Sequence, residues 1–78
     1  MKNLEINVSF IPISSIAKYP VPFVEEVFYG PGLKKIGRVV FENASPWRSH
    51  IILDENATGE EVQEIIEWVR GVLKKITL

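Results

Sequence analysis

Near the start of the chain Leu4, Ile6, Val8 and Phe10 alternate with Glu5, Asn7 and Ser9. A period of two predicts a strand with one buried and one wet face. Pro12, which has no N–H to give a ladder, ends it. At the other end of the chain the period changes. Val62, Ile65, Ile66, Val69, Leu73 and Ile76 recur at intervals of three and four, which predicts a helix over residues 58–78 with one buried stripe. Thr58 and Glu61 have the spacing of a capping box, in which each side chain closes an orphan backbone N–H. Acids (Glu60, Glu61, Glu64, Glu67) fill the first half and bases (Arg70, Lys74, Lys75) the second, as the helix dipole favours.

Between these ends, residues 35–42 and 49–53 read as two further strands. Residues 43–48, with Pro46, connect them, and 14–21 form an irregular connection with Ser14, Ser15 and Pro20. Residues 22–29 do not alternate. Pro22 suits a first helical position, Phe23 and Val24 pair with Val27 and Phe28 four residues on, and Gly30 supplies a stop. The pattern therefore predicts a short helix there. The order becomes β-α-β-β-α: an α+β domain over residues 1–78, with a three-stranded antiparallel sheet and two helices on one face. That order is half of a ferredoxin-like arrangement, an architectural analogy that carries no function. A strand over 22–29 is the alternative, giving a four-stranded sheet plus one C-terminal helix.

Sorted by parity, one sheet face collects Leu4, Ile6, Val8, Phe10, Val39, Phe41, Ile51 and Leu53. The other carries Glu5, Asn7, Ser9, Arg38, Glu42 and His50, but also Ile36, Val40 and Ile52. Such a mixed face is a place where a second subunit docks.

Composition narrows the functional classes. The 78 residues hold no cysteine, so disulfides, thiolate metal sites and cysteine nucleophiles are excluded. A formal net charge of −1 gives no global field for nucleic acid or an acidic membrane. Locally, Lys34, Lys35, Arg38 and Arg48 make residues 30–50 basic, whereas 51–67 contain acids and no base. No apolar run approaches the roughly 20 residues of a membrane span. The first residues lack the apolar run of a secretory signal, and the expectation is a soluble, cytoplasmic protein.

No catalytic constellation emerges. His50 and Asp54 on one strand would stand about 13 Å apart, too far to share a metal ion. Ser14, Ser15, Ser45 and Ser49 lack a nucleophile-elbow motif. Asp54, Glu55 and Asn56 start like a calcium loop without its glycine and later glutamate. The glycines around Lys34 and Lys35 precede a strand rather than the helix of a phosphate-binding loop. We therefore expect a non-enzymatic interaction module without cofactor or metal. It would self-associate through the open sheet face or a strand edge, or take a protein partner, with Ile36, Val40 and Ile52 central and Trp47 and Arg48 at the rim. The alternative is a small nucleic-acid-binding protein using Lys34, Lys35 and Arg38 with Trp47 and Arg48 as a stacking platform.

Overall fold

The computed structural model describes residues 3–78. Four strands, β1 (Leu4–Phe10), β2 (Val24–Gly30), β3 (Lys34–Glu42) and β4 (Trp47–Leu53), form one antiparallel sheet in the order β1-β4-β3-β2. A single helical turn, α1 (Ser14–Ala17), follows β1, and the chain closes with α2 (Gly59–Ile76). This is the four-stranded alternative. The expected three-stranded sheet with two covering helices is corrected, because the segment expected to be a short helix supplies the strand Val24–Gly30.

The reason lies in position as much as propensity. Val24, Val27, Phe28 and Tyr29 are β-branched or aromatic and suit a pleated surface. Gly32 (φ +72°) and Leu33 (φ +59°) take left-handed conformations that turn the chain straight back into β3. Val24 and Phe28 face α2, and Glu26 between them breaks the apolar alternation. Glu26 nevertheless stays exposed, since β2 is an edge strand and α2 lies across the two central strands, β3 and β4.

The register builds rows across the sheet. On the helix side Leu4, Leu53, Gly37 and Phe28 form one row, and Val8, Ser49, Phe41 and Val24 another. Val39, Phe41, Ile51 and Leu53 meet Ile65, Val69 and Ile76 of α2 in the core. Trp68 adds ring contacts to Phe28 and Phe41, with centroids 5.3 and 6.2 Å apart. Gly37 is required by this approach: a Cβ there would lie 2.9 Å from the Ile52 carbonyl oxygen and 3.1 Å from Ile65 Cδ1.

Ile36 departs from simple parity. Phe28 faces Gly37 but Tyr29 faces Lys35, so Ile36 is the extra residue of a β-bulge. The bulge lets it join Gly37 among the buried residues, and its side chain is only 5 % exposed. Its expected place on the open face is corrected accordingly.

Helix α2 starts as its sequence implies. The Thr58 hydroxyl accepts from the Glu61 N–H at 3.2 Å, and the Thr58 N–H donates to Glu61 Oε1 at 2.9 Å. At its far end the chain is moored to the segment after β1. The Ile13 N–H donates to the Ile76 carbonyl at 2.7 Å and the Leu78 N–H to the Ile11 carbonyl at 2.9 Å. The last turns of α2 are thereby held beside the end of β1.

Candidate functional site

The face away from α2 is built from three rows. Glu5, Ile52, Arg38 and Val27 make one; Asn7, His50, Val40 and Glu25 the next; Ser9, Arg48 and Glu42 the third. Val40 and Ile52 lie here as the alternation predicts, both half-buried by their neighbours. Polar side chains largely satisfy one another across the strands. Arg38 Nη1 reaches Glu25 Oε2 at 3.2 Å. His50 Nδ1 lies 2.5 Å from Asn7 Oδ1 and 3.4 Å from Glu5 Oε2, while its Nε2 faces Glu42 Oε2 at 3.6 Å.

The two carboxylates flank opposite edges of the imidazole, so they do not converge on a common point. Among the described residues no group of three or more His, Asp or Glu side chains could hold a metal ion. Ser49 cannot serve His50 as a nucleophile either. Adjacent strand residues point to opposite faces, and Ser49 is fully buried on the helix side, its hydroxyl without a hydrogen-bond partner among the described residues.

The basic and aromatic residues are dispersed. Lys34 and Lys35 are exposed at the start of β3. Arg38 is on the open face and already paired with Glu25. Trp47 sits on the helix side at the other end of the sheet, with ring centroids 5.9 Å from Phe10 and 5.7 Å from Phe23. From Lys35 to Glu42, which faces Arg48, the strand runs on the order of 20 Å. Trp47 and the lysines therefore lie at opposite ends of the sheet. Arg48 does share the open face with Arg38, and its Nε is shielded from solvent without a hydrogen-bond partner among the described residues. Glu42 faces it across the strands but turns its carboxylate to His50.

A second surface was not singled out by the sequence. β1 is an outer strand, and beside its last residues the end of α2 overhangs a groove of about 500 Å³. Val8, Phe10, Leu73 and Leu78 supply its apolar lining, with Arg70 and Lys74 from the outer turns of the helix. Around this edge lie Leu4, Ile11 and Leu78, which are 60, 68 and 87 % exposed. Leu4 is on the helix side yet open to solvent because α2 crosses the central strands instead. The sequence carries no local signal for it, because its residues come from the first strand and the last turns of the final helix, which only the fold brings together.

Comparison with protein-family models, curated proteins and solved structures gave no match, so no function is carried over from another protein. Among the described residues no helix is long and apolar enough to cross a membrane.

Proposed function

We propose that the chain is a non-enzymatic interaction module that self-associates through the outer edge of β1. One observation carries this reading: among the described residues no strand pairs with the outer edge of β1, which runs beside an apolar groove with exposed Leu4, Ile11 and Leu78 around it. An open edge presents a row of unpaired N–H and C=O groups, and an added strand satisfies them while its side chains fill neighbouring pockets. The open sheet face is the weaker candidate. Its apolar members, Val27, Val40 and Ile52, are half-buried and interleaved with charged side chains most of which already have partners.

Sedimentation equilibrium over a roughly tenfold concentration range tests this, since a self-associating chain is governed by mass action. The expected mass is twice the 8.9 kDa of the single chain at the upper concentrations. A mass of one chain throughout would overturn the proposal.

A further inference from the structure

Resting on that reading, we infer that the occupant of the β1 edge is β1 of a second copy, antiparallel, with Asn7 facing Asn7 across a two-fold axis. In this register Leu4 faces the partner's Phe10, Glu5 the partner's Ser9 and Ile6 the partner's Val8. The axis stands perpendicular to the sheet, so each residue keeps its face. The two sheets become one of eight strands with both α2 helices on the same side.

The strand is self-complementary about its centre. Leu4 is exposed at one end, and the groove of Val8, Phe10, Leu73 and Leu78 opens at the other. A two-fold axis exchanges the ends, so each Leu4 is delivered to the other copy's groove. An isologous contact requires this kind of reciprocity. Both apolar features are buried at once, whereas a one-sided peptide would fill the groove and leave Leu4 bare.

Charge on the opposite face agrees with the same register. Ser9 is paired with Arg48 in β4, so the incoming Glu5 faces a small residue with Arg48 immediately behind it. Arg48 has no ion pair of its own among the described residues and its Nε lacks a hydrogen-bond partner. Glu5 is half-exposed; in the single chain its carboxylate turns inward to His50 Nδ1 at 3.4 Å, and it swings to the outer side of β1 to meet the partner's Arg48. Each copy contributes one acid and receives one, giving two symmetric pairs across the joint. No like charges face each other in the ladder, since the remaining partners are Asn7 with Asn7 and apolar with apolar.

Cross-linking tests the register because the chain has no cysteine. Directly facing residues of an antiparallel pair have Cα atoms about 4.5–5.5 Å apart, within disulfide reach. Asn7→Cys should link to itself under mild oxidation. Glu5→Cys and Ser9→Cys should each remain unlinked alone, their own copies lying about 13 Å away along the strands, yet link when mixed. Val27→Cys on β2 should stay unlinked. In parallel, Leu4→Asp, at an exposed site, should reduce the sedimentation mass to that of one chain with an unchanged circular dichroism spectrum.

The outcomes separate the two claims. A dimeric wild-type mass with no link at Asn7→Cys and none in the Glu5→Cys and Ser9→Cys mixture overturns this register and leaves self-association standing. Linking at Val27→Cys moves the interface to β2. A Leu4→Asp variant that stays dimeric removes the groove from the account. A wild-type mass of one chain overturns both.

Discussion

Two glycines show how far single positions depend on what surrounds them. Gly71 lies on the exposed side of α2, with nothing within 4 Å of where a Cβ would stand. Gly71→Ala therefore meets no obstacle, and helix propensity alone should raise unfolding free energy by up to about 1 kcal/mol in urea titration. Gly37 is the opposite case. Its missing Cβ is the space in which the Ile52 carbonyl and the Ile65 side chain approach β3. Because one of those neighbours is backbone, Gly37→Ala forces a shift and should cost about 1–3 kcal/mol by the same titration. Equal effects at the two glycines would show that the packing of α2 on β3 is not as described. A mid-helix glycine is conspicuous in the sequence, but the contrast between the two is not: it is written in the path of a neighbouring element.

The elements differ in how openly the sequence declares them. α2 was legible because its signals are local: the cap is three residues wide and the stripe recurs within each turn. Thr58→Ala removes one half of the cap and should cost about 1 kcal/mol, read as a lower midpoint of thermal or urea unfolding. β1, β3 and β4 were legible too, since alternation marks a strand with a covered side. β2 was not. An edge strand has one neighbour, and a charged residue on its covered side is still wetted, so Glu26 breaks the pattern at little cost. The helical spacing of Phe23, Val24, Val27 and Phe28 is a coincidence of composition that pairing with β3 overrides. Ile36 escaped for a related reason, because parity fails at a bulge and no residue type announces one.

At the scale of the whole molecule, the sheet has two outer edges and one helix over its centre, so coverage decreases toward β1 and β2. Part of the candidate site was visible in the sequence: Val40, Ile52, Arg38 and His50 share the open face as alternation required. The groove beside β1 was not, because it joins residues from opposite ends of the chain and exists only once residues 76–78 are tied to 11–13. The central claim is that β1 does not remain an edge in the assembled protein. Residue-resolved amide hydrogen exchange across Leu4–Phe10, at a concentration where the chain is associated, tests it most directly. In a lone edge strand every second amide points to solvent and exchanges quickly, giving alternating protection. Pairing on both sides predicts slow exchange at consecutive amides, comparable to β4. Alternating protection along β1, no different from that along β2, would contradict the account.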